Sequence, residues 1–115
     1  MKEKFYFKIT EKNHTSLKNF SLRNFRTLQQ SINFITNLYL ENPEMFDFEK
    51  RIWTKEKKNK FIAVKLDGVV LAKITEIVKE KNINISFFLP AILDVYFVDN
   101  PVTSAPDDKI ENNIF

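Results

Sequence analysis

The strongest constraint on this chain is a repeat. Lys4-Phe5-Tyr6-Phe7-Lys8-Ile9-Thr10 and Phe61-Ile62-Ala63-Val64-Lys65-Leu66-Asp67 align at a shift of 57, which sets Phe5, Phe7 and Ile9 on Ile62, Val64 and Leu66, and Lys8 on Lys65. Both stretches alternate apolar with other residues, the period of a strand buried on one face. A second match follows at a shift of 58, where Leu38-Tyr39-Leu40-Glu41-Asn42-Pro43 aligns with Tyr96-Phe97-Val98-Asp99-Asn100-Pro101. Two matches in the same order, with one residue inserted between them, point to a duplicated unit.

Each strand runs into a predicted helix. Thr10 and Asp67 are suited to accept a hydrogen bond from the free N–H groups of a first turn. After Asp67, Val70, Leu71, Ile74, Ile77 and Val78 recur at helical spacing. In the first unit Leu17, Phe20 and Phe25 are expected to share a face, although Asn13, Ser16, Asn19, Ser21 and Asn24 lower the helix propensity. A second helix is expected in each unit. Thr27 and Gln30 have the spacing of a capping box, ahead of Leu28, Ile32, Ile35 and Tyr39. In the second unit Asn82-Ile83-Asn84 reads as a turn, and Ser86 as a cap for an apolar helix reaching about Val98. Pro90 is easiest at the first helical position, which would move the regular start toward Leu89.

Composition narrows the function. Cysteine is absent and His14 is the single histidine, so disulfides, thiolate catalysis and cysteine metal sites are excluded by residue type. No carboxylate pair, phosphate-cradling glycine loop or metal-ligand spacing stands out, so neither an enzyme nor a cofactor is expected. With hydrophobic residues at 43% and twelve Phe, the chain can bury a core. No apolar run reaches the roughly 18 residues of a membrane span. The opening residues lack a signal-peptide apolar stretch, which predicts a cytoplasmic protein. Charge is uneven: +4 over residues 1–43, +2 over 44–60, zero over 61–98 and −3 over 99–115. A basic front and an acidic tail suit a polyanion binder.

Strand, helix, turn and helix in some forty residues resembles the ribbon-helix-helix fold of the MetJ/Arc superfamily. Val64-Lys65-Leu66-Asp67 carries it best, and Ser86 stands where that family often opens its second helix with a small hydroxyl residue. The resemblance covers Lys4 to about Pro43 and Lys60 to about Pro101, although glycine is missing from both inter-helix turns. It implies a mostly α fold with a two-stranded antiparallel β-ribbon, built as a tandem pseudodimer. The units are 1–43 and 60–101, joined by a linker at 44–59 and followed by an acidic tail at 102–115. One unit alone has an unpaired strand and too much apolar helix surface, and two units solve both problems. The linker, about sixteen residues, spans roughly 50 Å when extended, enough to reach the far strand end. A structural rival keeps only the second unit as ribbon-helix-helix, dimerising between chains through Phe61 and its neighbours.

The implied function is sequence-specific binding of double-stranded DNA by a transcriptional regulator acting as a repressor, similar to regulators of archaeal viruses and mobile elements. With Phe5, Phe7 and Ile9 inward, strand alternation turns Lys4, Tyr6 and Lys8 outward, and likewise Phe61, Ala63 and Lys65. A two-stranded ribbon fits the major groove. The resemblance assigns base reading to Tyr6, Lys8, Ala63 and Lys65, with Lys4 and Phe61 at the margin. Phosphate contacts are expected at the second-helix N-termini, from Arg26, Thr27 and Ser86, and from Lys58 and Lys60 in the basic run that also holds Lys55 and Lys57. Self-association of chains on the operator is expected because one ribbon covers little sequence. A plasmid partition factor, a relaxosome accessory protein, an antitoxin and a non-DNA oligomerisation module stay open. Phe46, Phe48 and Trp53 are too apolar for a free linker and are expected to dock on the helices.

Overall fold

A computed structural model describes residues 4–48 and 57–102. It is mostly helical with one two-stranded antiparallel sheet. The order is β1 (Lys4–Thr10), α1 (Glu11–Arg23), α2 (Leu28–Glu41), a 3-10 turn at Pro43–Met45, β2 (Lys58–Lys65), α3 (Gly68–Lys81) and α4 (Ile85–Asp99). Strand, helix, helix therefore occurs twice. β1 pairs with β2 of the same chain, Lys4 opposite Lys65, Tyr6 opposite Ala63 and Lys8 opposite Phe61. Paired numbers add to 69 and the repeat shift is 57, so Tyr6 faces its own repeat equivalent at the centre of the ribbon.

The inner face of the ribbon is the lid of the core. Phe7, Ile9, Ile62, Val64 and Leu66 are buried on it, as period-2 alternation requires. Beneath lie Ile32, Ile35 and Tyr39 of α2 and Val70, Ile74 and Val78 of α3. α4 is buried on nearly every side, which explains its almost continuous apolar sequence. It packs on β1 and on the other three helices, and α2 packs on β2, α1 and α3. Phe46 is buried between Tyr39 and Tyr96, at ring separations of 5.5 and 6.1 Å. Phe48 stacks on Phe88 at 5.6 Å. Trp53, Lys55 and the tail beyond Val102 lie outside the described residues.

α1 forms despite its weak propensity because its polar residues are used inside. Ser21 Oγ donates to the Leu17 carbonyl at 2.8 Å and meets the Ser31 hydroxyl at 2.6 Å. Asn19 donates to the Val102 carbonyl at 3.0 Å, and the Ser16 hydroxyl accepts from Val102 N–H at 3.4 Å. The side chain of Thr10 caps the helix, accepting from Asn13 N–H at 3.1 Å. Asn13 in turn donates to Asp94 on α4.

Several local expectations are corrected. Phe25 does not share the α1 face with Leu17 and Phe20. It lies past the helix end, at φ 53°, with 96% of its surface exposed. The turn needs a left-handed residue there and has no glycine to supply it. Phe25→Gly is expected to raise stability by about 1 kcal/mol, since left-handed geometry costs a side-chain-bearing residue about 1–2 kcal/mol. Urea denaturation checks this, and a lower midpoint would mean the ring contributes packing that its exposure does not show. α4 begins at Ile85, not at Ser86 or near Leu89. Asn84 caps it, accepting from Ser86 N–H at 2.7 Å, and burial of Phe88 and Leu89 holds the backbone helical ahead of Pro90. β2 begins at Lys58, inside the stretch read as linker, with an irregularity in pairing beside Ile9 and Thr10. Asp67 stands at the α3 N-cap but makes no side-chain capping bond.

Candidate nucleic-acid interface

Strand alternation and pairing register together lay out the outer ribbon face. β1 presents Lys4, Tyr6 and Lys8, and the opposite row on β2 is Lys65, Ala63 and Phe61. All except the half-buried Lys65 are exposed, with Tyr6 at 53% and Phe61 at 62%. The Tyr6 and Phe61 rings stack at 5.7 Å and 26°. Ala63 opposite Tyr6 is small, which leaves the tyrosine room to lean toward its diagonal neighbour. Phe61 thus stays outside instead of folding into the core. Among the described residues, Lys4, Lys8 and Lys65 form no ion pair.

One end of the ribbon is fixed by α2. Gln29 Oε1 accepts from Lys65 N–H at 2.9 Å. Asn33 Nδ2 donates to the carbonyls of Gln29 and Lys65, both at 2.9 Å, and its Oδ1 accepts from Asp67 N–H at 2.7 Å. These two side chains do for the edge of β2 what a third strand would do, and they set the backbone from which Lys65 projects. Sequence reasoning missed both. The one available signal was a buried-face asparagine among Ile32, Ile35 and Thr36, where a polar residue needs a partner.

The expected phosphate contacts fare unevenly. Thr27 caps α2 in a full capping box: its hydroxyl accepts from Gln30 N–H at 3.0 Å, and its own N–H donates to Gln30 Oε1 at 2.8 Å. Its N–H is therefore spent, as are those of Gln30, Ser86 and Phe87, which reduces what either helix start can offer an anion. Arg26 does not project freely. Its guanidinium carbon sits 3.9 Å from the Phe34 ring centre, and Nη1 is buried without a hydrogen-bond partner among the described residues. Its charge opposes the rise that burial causes in the Tyr96 pKa. Lys58 lies 3.9 Å from Asp94. Lys60 is opposite Ile9, on the helical side of the ribbon, close enough to act on His14.

His14 is held below the ordinary imidazole value, first by burial, then by Lys60 and Lys18, with Glu11 opposing. As pH falls, the unfolded chain therefore takes up this proton before the folded one does. The histidine's contribution is unpenalised above its ordinary pKa of 6.5 and turns unfavourable as pH drops below it. A His14→Gln variant is expected to lose less stability than the parent chain between about pH 7.5 and about pH 5, measured by urea denaturation. Equal losses would remove His14 from the acid response.

Comparison with protein-family models, curated proteins and solved structures returned no match to this chain. Among the described residues, no single helix is long and apolar enough to cross a membrane, and no group of His, Asp and Glu is placed to hold a metal ion.

Proposed function

We propose that this chain is a tandem ribbon-helix-helix protein that binds double-stranded DNA through its own β-ribbon and acts as a transcriptional regulator, occluding a promoter. The observation that carries this is the outer ribbon face: three lysines that form no ion pair among the described residues and an exposed aromatic pair, on a backbone held from below by a buried helical core. Such a face gains little in water, since like charges stand opposite one another and two rings are left wet. In a major groove the lysines meet guanine acceptors and the apolar groups meet thymine methyls. The intramolecular pairing, centred on repeat-equivalent Tyr6 and Ala63, and the packing of α2 on α4 support the pseudodimer reading over a ribbon formed between chains.

Fluorescence anisotropy with duplex oligonucleotides tests the reading. If about three or four phosphates are neutralised, affinity should fall roughly 40- to 150-fold between 50 and 200 mM salt. An absence of binding at low salt, or binding indifferent to salt, would remove DNA as the ligand and favour an oligomerisation role.

A further inference from the structure

We infer that the ribbon reads DNA in one orientation only, with Lys4 and Lys65 over a guanine-bearing step and the Tyr6–Phe61 pair against thymine methyls at the other end. This rests on the DNA-binding reading above. A ribbon made of two identical strands has identical ends. Here the two-fold centre falls on Tyr6 and Ala63, and of the three outward positions only Lys8 and Lys65 are alike; Lys4 corresponds to Phe61 and Tyr6 to Ala63. The register then sorts the face by chemistry. Lys4 and Lys65 are direct cross-strand partners, which concentrates two ammonium groups at one end. Cross-strand Cα atoms are only about 4.5–5.5 Å apart, so this pair repels itself until acceptors arrive. Guanine offers two, O6 and N7, on its major-groove edge.

At the opposite end Phe61 stands across from Lys8 and stacks on Tyr6, giving a continuous apolar surface directed outward. Of the groups in the major groove, the thymine C5-methyl is the one such a surface can desolvate. Four residues of strand separate Lys4 from Lys8, about 13 Å, which corresponds to roughly four base-pair steps. Lys65, with its backbone fixed by Gln29 and Asn33, gives the cationic end a defined position. The recognised core should therefore be non-palindromic, guanine at one side and thymine at the other.

Selection of duplexes from a randomised library with the full chain tests this, followed by base analogues in the selected site. Uracil in place of thymine at the aromatic end should weaken binding roughly fourfold per methyl lost, and should cost nothing in Phe61→Ala. 7-Deazaguanine at the lysine end should cost about tenfold, and nothing in Lys4→Ala plus Lys65→Ala. Both sets of side chains lie outside the core, and circular dichroism verifies that the variants are folded. A dyad-symmetric core, or analogue penalties that persist in the matched variants, would overturn this inference and leave DNA binding standing. Failure to enrich any duplex would overturn both.

Discussion

Replacing Lys8 and Lys65 together with alanine is expected to weaken binding to a selected duplex by roughly 100-fold, taking about 1–3 kcal/mol for each good base contact. The two residues occupy equivalent places in the repeat and sit at opposite ends of the ribbon, so no single local rearrangement compensates for both. Neither ammonium group makes an ion pair among the described residues, so the change removes no salt bridge there. Unfolding free energies should stay within about 0.5 kcal/mol of the parent chain. On an unrelated duplex the loss should be much smaller, because base contacts carry specificity while phosphate contacts set general affinity. Binding like that of the parent chain would end the ribbon hypothesis, whatever the fold.

The largest stability effect outside the apolar core is expected at Asn33. Asn33→Leu keeps the branched outline but strands the Lys65 carbonyl and the Asp67 N–H, each of which now has its partner on that side chain. An unsatisfied buried polar group costs about 1–3 kcal/mol, and both bonds here are only part-buried, so a loss of about 2 kcal/mol is expected in urea denaturation. Gln29→Ala should cost about 1 kcal/mol, because Gln29 is exposed and water can replace its bond to Lys65 N–H. If Asn33→Leu proved neutral, the strand edge would not depend on α2, and Lys65 would not be held in place.

Much of this architecture is written in short-range pattern. Alternation at Phe5–Ile9 and Ile62–Leu66 marked two strands, and the spacing of Val70, Ile74 and Val78 marked a helix, because a buried face imposes its period directly on the sequence. The outward residues of the ribbon followed from the same alternation. What pattern could not convey was the destination of polar groups. Ser16, Asn19 and Ser21 read as poor helix formers, yet they are bonded inside, and whether such a residue breaks a helix or joins it to the core depends on partners distant in the chain. Arg26, Lys58 and Lys60 looked like free cations for the same reason, and the fold turns each toward Phe34, Asp94 or the helical side of the ribbon. Pro90 misled about the start of α4 because tertiary burial outweighed a local steric preference.

Joining both strands in a single polypeptide has a consequence for behaviour at the low concentrations found in cells. A ribbon shared between two molecules falls apart on dilution, and its melting temperature drifts with the amount of protein. Here assembly is unimolecular, so even one isolated copy keeps its strands together. The covalent tie also frees the two rows to evolve separately, since a substitution in one strand is not forced to recur in the other.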